Sequence, residues 1–344
     1  MTRTCRVTFN NETFYVNCGD LLLDGAIMSG VELPHDCRSG VCGSCRVRLV
    51  DGKVFGGTEE TSDQIYACQA RVVSDLKLEA DASPEPVSVT GRVAGLVRLA
   101  PDVVGVDVVL QRPFPYFSGQ YCKLQFRGFP ARYYSPTYPL EGGPQAGRLH
   151  FHIRRLPRGV VSSALGGTIG VGHRVRISGP LGSAFHRLKH PGRIVLVATG
   201  TGFAPMWSVA VAAITERPQR DLVFIVGARK LQSFYMDRAL CRLALFPNVT
   251  IIPVVSEPQH VSSAIRTGRP TDYMPVLSPS DLVYTSGAPA MTEAVAKIAK
   301  AAGARCFTDP FVPDPGNGDH AGLMARFVGW LGRSQKKPQV LRAA

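Results

Sequence analysis

No long run of lysine and arginine occurs in this chain, no aromatic residues interleave with basic ones, and no paired C-x2-C knuckles appear. A net charge of +13 over 344 residues invites a nucleic-acid partner, but without those features that reading has nothing to rest on. The first residues, MTRTCRVTFNNETFYV, alternate like a strand and lack the apolar centre of a secretory signal. One uncharged stretch, 194–215, is long enough to cross a bilayer, but Thr199-Gly200-Thr201-Gly202 and Pro205 break it in the middle. It reads as a buried strand, a glycine loop and a helix start, and the chain is expected to be cytoplasmic. A disulfide framework is missing too. The nine cysteines are odd in number and crowd into the first fifth of the chain, a pattern that suits a metal site in a reducing compartment. There is no internal repeat.

What remains is the composition of an ordinary globular protein, with 45% hydrophobic and 19% charged residues. The length accommodates two or three domains with separate cores. Charge is uneven. Residues 1–80 hold 8 Lys/Arg against 11 Asp/Glu, a net of −3 out of +13, which leaves +16 on the rest. An acidic unit beside a basic body predicts domains that dock on one another, or an acidic partner.

Residues 1–80 read as a small mixed domain. Strand-like RVTFN and TFYVN lead to the helix LLLDGAIMSG, with Asp20 as N-cap and Leu22, Leu23, Ala26 and Ile27 on one face. Residues 81–89 carry two prolines and read as a linker. Over 90–188, short alternating strands separated by turn signals predict a small antiparallel barrel. Over 189–315, the runs RIVLVAT, DLVFIVGA, VTIIPVVS and DLVYTSG alternate with helical stretches, the pattern of a parallel α/β sheet. Residues 316–344 form a basic, amphipathic tail.

Cys37, Cys42 and Cys45 are spaced C-x4-C-x2-C, and Cys68 follows 23 residues beyond Cys45. That is the spacing of plant-type [2Fe–2S] ligands. Two irons close together need four thiolates converging from one loop and one further segment. Gly40 and Gly43 let such a loop wrap closely and aim backbone N–H groups at the sulfurs. Structural zinc also takes four thiolates, but usually from paired C-x2-C knuckles. The stretch LPHDCRSGVCGSCRVRLVDGKV resembles the cluster loop of plant-type ferredoxins, and the resemblance implies a β-grasp fold for 1–80. The other five cysteines read as packing residues.

In the barrel, Arg132, Tyr134 and Ser135 make R-x-Y-S, and Gly159 and Ser162 make G-x-x-S within FHIRRLPRGVVSSAL. The pair is similar to the flavin-binding signature of ferredoxin–NADP reductase-like proteins. That resemblance implies FAD, with Arg132 against its pyrophosphate, Tyr134 on the ring and Ser135 near the ring nitrogen where hydride arrives. It also implies contacts from His152, Ile153 and Arg154, and from the N–H groups of Val160, Val161 and Ser162 behind Gly159.

After the strand IVLVAT, the G-x-G-x-x-G fingerprint is absent. Gly200-Thr201-Gly202-Phe203-Ala204-Pro205 stands there instead and resembles the G-T-G-x-x-P loop of the same reductases. Gly200, Thr201, Gly202 and Pro205 are thus expected to bring a nicotinamide dinucleotide's pyrophosphate to a helix start. At Ser286-Gly287-Ala288-Pro289-Ala290-Met291 the family usually reads Cys-Gly-x-Pro-x-Met, which puts Ser286 and Gly287 beside the nicotinamide. Arg229 and Lys230 read equally as a clamp for a 2′-phosphate or as surface charges, and NADH against NADPH stays open. Cys306-Phe307-Thr308-Asp309-Pro310-Phe311 resembles the family's C-terminal segment. It implies Phe307 or Phe311 over the flavin and Asp309 near its reactive nitrogen, with core packing an equal reading for the phenylalanines.

The ordered matches cover nearly 310 residues and resemble the reductase components of bacterial ring-hydroxylating oxygenases. The cluster loop is also similar to that of xylene monooxygenase-type reductases. The implied fold is multidomain α+β and α/β. The implied activity is oxidation of NADH or NADPH at FAD, with single electrons passing through a [2Fe–2S] cluster to a Rieske ferredoxin or a terminal oxygenase of aromatic hydrocarbon catabolism. Alternatives are a reductase for a membrane di-iron hydroxylase or another acceptor such as a deoxysugar dehydrase, and a redox sensor, toward which Ser286 leans. A monomer without a nucleic-acid partner is expected. In residues 321–337 of the tail, Leu323, Phe327, Trp330 and Leu331 share one helical face. They read either as weak membrane or partner docking, or as packing on the protein's own surface.

Overall fold

The computed structural model describes residues 3–10, 12–31, 33–35, 38, 40, 45–58, 63–80, 83–141, 145–257 and 264–311. Cys37, Cys42, Gly43 and the tail lie outside the described residues.

The N-terminal domain contains β1 (Thr4–Phe9), β2 (Glu12–Asn17), α1 (Leu22–Met28), β3 (Arg46–Asp51), β4 (Val54–Phe55), β5 (Gln64–Tyr66), β6 (Arg71–Val72) and β7 (Leu76–Glu79). Its main sheet runs β2-β1-β7-β3-β5, with β1 and β7 parallel at the centre. This is the β-grasp arrangement, in which α1 covers one face. Val7, Phe14, Leu22, Leu23, Val47, Ile65 and Leu78 form the core. A Cβ on Gly25 would stand 2.5 Å from Cγ2 of Val16, so this glycine lets α1 lie directly on β2. That contact turns the helix, leaving Ile27 outside the buried face and 41% exposed. Asp20 is not the cap either: Leu21 holds the N-cap position with no side-chain bond, while Asp20 accepts from Asn17 Nδ2 at 3.2 Å.

The second domain contains β8 (Val87–Ala100), β9 (Val103–Leu110), β10 (Tyr121–Phe126), β11 (Arg132–Tyr134), β12 (Arg148–Arg154), α2 (Val160–Ala164) and β13 (Arg174–Leu181). The sheet runs β11-β10-β13-β8-β9-β12, antiparallel throughout. Thr137 N donates to His150 O at 2.9 Å and joins the two ends into a barrel. Two register shifts in β8 bend it around the core. β8 begins at Val87, inside the stretch expected as linker, because Val87, Ser88 and Val89 already pair with β13.

The third domain contains β14 (Ile194–Thr199), α3 (Phe203–Glu216), β15 (Leu222–Ala228), α4 (Asp237–Leu243), β16 (Val249–Val255), β17 (Arg266–Thr267), β18 (Leu282–Gly287), α5 (Pro289–Ala301) and β19 (Arg305–Pro310). The parallel sheet runs β17-β16-β15-β14-β18-β19. Its unbroken apolar strands serve two cores. Ile194, Leu196 and Ala198 face α3, while Val195 and Val197 face the layer that holds α5. The 194–215 stretch thus resolves into β14, a turn and α3. Among the described residues no helix is long and apolar enough to cross a membrane. Cys5 and Cys122 are buried as expected of packing residues, whereas Cys241, on α4, is exposed.

Candidate functional site

Cys45 stands at the entrance of β3 and Cys68 in the turn after β5. Both are buried, and their sulfurs converge to 3.2 Å, well beyond the ~2.0 Å of a disulfide. Gly40 takes φ +77°, and a Cβ there would stand 2.9 Å from Gln69 Cγ, so glycine keeps the loop against the Cys68 turn. Gln69 Nε2 donates to Cys68 O at 3.0 Å and reaches Cys68 Sγ at 3.8 Å. Two converging buried sulfurs beside an amide donor fit an iron–sulfur centre.

A second site opens at the carboxyl ends of β14 and β18. Here the strand order reverses, which is where open α/β sheets form their ligand crevice. Gly200, φ +56°, begins a single 3₁₀ turn, Gly200–Gly202, that runs into α3. No side chain caps that helix, so its first N–H groups are available to an anion. A Cβ on Gly202 would stand 2.3 Å from Ser286 O, and one on Gly287 would stand 2.5 Å from Thr199 O. Thr199 Oγ1 accepts from Ala288 N at 3.0 Å. The two loops interlock backbone to backbone, which only glycine allows.

Three side chains from two domains meet in this crevice. Ser286 on β18 is in register with Asp309 on β19, Oγ to Oδ2 3.4 Å. Ser135, just past β11, hydrogen-bonds the same carboxyl. Both serines are buried, and Asp309 is half-buried on the crevice floor. Loss of hydration pushes the Asp309 pKa up to about 7, opposed by the two serine hydrogen bonds. A carboxyl that holds a proton near neutral pH, beside two hydroxyls in a water-poor crevice, fits a flavin ring meeting a nicotinamide.

The remaining expected residues divide between crevice and interior. Arg132 and Tyr134 lie on β11. Arg132 Nη1 donates to Ala131 O at 2.7 Å, and desolvation pushes the half-buried Tyr134 phenol up to about 12, with Arg132 opposing. Gly159 caps α2. Ser162 Oγ accepts from Leu156 N at 3.1 Å and would meet a Cβ on Gly159 at 2.3 Å, so G-x-x-S is first of all a locked turn. Val160 is exposed and Val161 buried. Arg154 Nε bonds Asp102 Oδ2 at 2.8 Å, with its guanidinium beside Gly200. Thr201 is half-buried and Pro205 buried in the first turn of α3. Phe311 N donates to Gly287 O at 2.7 Å. Ile153 packs inside the barrel. His152 faces the other way, its Nδ1 3.2 Å from Tyr235 OH and its ring parallel to Phe203; burial lowers its pKa to about 3, so it is neutral. Phe307 is 2% exposed and stacks on Tyr284 at 5.5 Å, beneath Asp309 on the same face of β19. His152, Ile153 and Phe307 therefore present their side chains to packing.

Sequence reasoning missed Glu257. It holds both Arg229 (2.6 Å) and Lys230 (3.6 Å) at the ends of neighbouring strands. The signal was available, because β15 and β16 end at the same level. Thr137 was also missed: its Oγ1 donates to Ala204 O at 2.7 Å and pins the barrel to α3. Tyr235 had no sequence signal, since its role depends on His152 arriving from another domain.

Three family models match in order. A 2Fe-2S iron-sulfur cluster binding domain covers residues 7–73, an oxidoreductase FAD-binding domain 97–186, and an oxidoreductase NAD-binding domain 196–297. The chain is 31% identical over 323 residues to the ferredoxin–NAD(P)+ reductase component of the naphthalene 1,2-dioxygenase system of Pseudomonas putida, covering 88% of this chain and 97% of that one. It is 31% identical to the reductase subunit of the aromatic O-demethylase of an Amycolatopsis species, covering 83% and 91%. Among solved structures, the Amycolatopsis cytochrome P450 reductase GcoB matches with a TM-score of 0.66 at 28% identity, over 90% of this chain and 99% of that one. The ferredoxin reductase of carbazole 1,9a-dioxygenase shares the fold, with a TM-score of 0.63 at 21% identity over 91% and 99%. With a buried thiol pair at one end and a proton-holding crevice at the other, this chain belongs to the ferredoxin–NAD(P)+ reductase-type iron–sulfur flavoproteins, oxidoreductases that take electrons from NAD(P)H through FAD to a [2Fe–2S] cluster.

Proposed function

We propose that this chain is the reductase component of a multicomponent aromatic oxygenase, a monomer that delivers single electrons to a Rieske ferredoxin or to the terminal oxygenase. The observation that carries the reading is the meeting of Ser135, Ser286 and Asp309 at one carboxyl. A redox sensor has no need of a proton-holding group at such a place.

Bound FAD would supply a two-electron hydride acceptor that can give up its electrons singly, and a [2Fe–2S] cluster would supply a one-electron carrier. Arg132 would offer its planar fork to pyrophosphate, with Tyr134 and Phe311 as the rings to pack on the flavin. The N–H groups of residues 160–162 and of the Gly200–Gly202 turn would bind phosphate oxygens. Ser286 and Gly287 orient the nicotinamide. Asp309 holds a proton at its carboxyl because burial disfavours its charged form, while Ser135 and Ser286 fix the carboxyl's position and temper that shift. Cys37, Cys42, Cys45 and Cys68 would hold the irons.

Glu257 favours NADH. A 2′-phosphate would have to displace a carboxylate already bonded to Arg229 and Lys230, whereas a ribose hydroxyl finds an acceptor there. Residues 321–337 lie outside the described residues and carry no part of this reading.

The test is electron delivery under NADH to three acceptors: ferricyanide, cytochrome c and the Rieske ferredoxin of an aromatic dioxygenase. Reduction of all three is expected, with the latter two lost in Cys68→Ser. Reduction of ferricyanide alone by the unmodified protein would refute the reading.

A further inference from the structure

Arg46 directly follows Cys45 and opens β3. It pairs in register with Tyr66 on β5, two residues before Cys68. Its side chain leaves the N-terminal domain. Nη1 donates to Cys306 O on β19 at 2.8 Å, while Nη2 donates to Tyr66 OH at 2.8 Å. The guanidinium carbon lies 5.2 Å from the Tyr66 ring centroid and 5.7 Å from that of Phe307. One planar cation thus ties the cluster's own strand pair to the last strand of the nucleotide domain, by two hydrogen bonds and two ring contacts.

The target on β19 is well anchored. Phe307 stacks on Tyr284, and Arg187 covers it at 4.2 Å. Arg187 N in turn donates to Tyr284 OH at 3.0 Å. Asp309 lies three residues beyond Cys306 on the same strand, about 10 Å along it at the usual rise per residue. One short strand therefore joins the junction to the crevice. Electron transfer slows steeply with distance, so whatever fixes this junction fixes the gap between Cys45 and the crevice that an electron must cross.

We propose that Arg46 is a positioning residue for electron transfer: it locks the N-terminal domain onto β19 and holds Cys45 at a constant distance from the Ser135–Ser286–Asp309 crevice. The proposal rests on reading that crevice as the place where hydride arrives.

The test uses the full-length holoprotein with Arg46→Met and Arg46→Lys. Rapid mixing with NADH separates bleaching of the flavin band from that of the cluster band, and small-angle X-ray scattering reports domain docking independently of turnover. Arg46→Met is expected to slow the cluster phase about tenfold, a loss on the scale of one hydrogen bond and one cation–π contact. The flavin phase is expected to stay unchanged and the radius of gyration to rise. Arg46→Lys keeps the charge without the fork, so it is expected to fall between, and it carries the test if the methionine variant does not fold. An unchanged cluster phase with unchanged scattering would overturn the proposal, as would equal slowing of both phases. The crevice reading fails separately, through an unchanged flavin phase in Asp309→Asn.

Discussion

The two ends of the proposed electron path are built in opposite ways. At the cluster end, all four thiols lie between residues 37 and 68, within one small domain. At the proposed hydride end, Ser135, Ser286 and Asp309 come from positions spread over more than half the chain and from two domains. The first is a local motif on a glycine loop. The second exists only when a barrel and a parallel sheet have folded and docked. Damage at the cluster end should therefore remain local, whereas the crevice should respond to changes in packing some distance away.

The largest expected effect separates the ends outright. Cys68→Ser removes a buried thiol of the proposed cluster site and should abolish cluster absorption and cytochrome c reduction, while NADH–ferricyanide activity persists. If both activities fall together, the two ends are not independent.

Asp309→Asn should come next, lowering the rate of flavin reduction by about a hundredfold, as for loss of a positioned acid. Asp309 has a folded pKa of about 7, above its ordinary value of 3.8. The protonated, active form should prevail below pH 7 and the rate should fall as pH rises through 7. The same sign governs stability. The folded state binds the proton more tightly than the unfolded chain, so this contribution is complete below about pH 4 and is lost as pH rises to about 7. The asparagine variant should flatten both profiles; an unaltered pH–rate curve would remove Asp309 from the proton's path.

Gly202→Ala is a milder test of the interlocked loops. Gly202 has φ −60°, which alanine tolerates, so the cost comes from the 2.3 Å approach to Ser286 O. A loss of about 1–3 kcal/mol of stability is expected, typical of overpacking, with a raised KM for NADH. Thermal denaturation and steady-state kinetics would measure both, and an unchanged KM would argue against a nucleotide at this loop. The smallest effect belongs to Glu257→Gln. Its pairs are solvent-exposed, so kcat/KM for NADPH relative to NADH should rise only about five- to tenfold. No change would return Arg229 and Lys230 to plain surface charges.

Legibility follows the same divide. The cysteine spacing could be noticed in the sequence directly, and R-x-Y-S, G-T-G-x-x-P and S-G-A-P through their resemblance to a reductase family, because each is a short contiguous segment. The three-domain order followed from strand periodicity. What could not be read were contacts that depend on docking: Ser135 reaching Asp309, Thr137 bonding Ala204, His152 meeting Tyr235, Arg46 reaching Cys306. The helix α1 shows the limit on a smaller scale. Its apolar pattern placed Ile27 inside, but Gly25 against Val16 set the rotation.

The central claim is that electrons enter at the Ser135–Ser286–Asp309 crevice and leave through the cysteine cluster. An anaerobic NADH titration of the purified protein, followed by visible absorption and electron paramagnetic resonance, tests it most directly. Bleaching of the flavin band together with a rhombic signal from a reduced [2Fe–2S] centre is the predicted result. A colourless, zinc-containing protein, or flavin bleaching with no cluster signal, would contradict it.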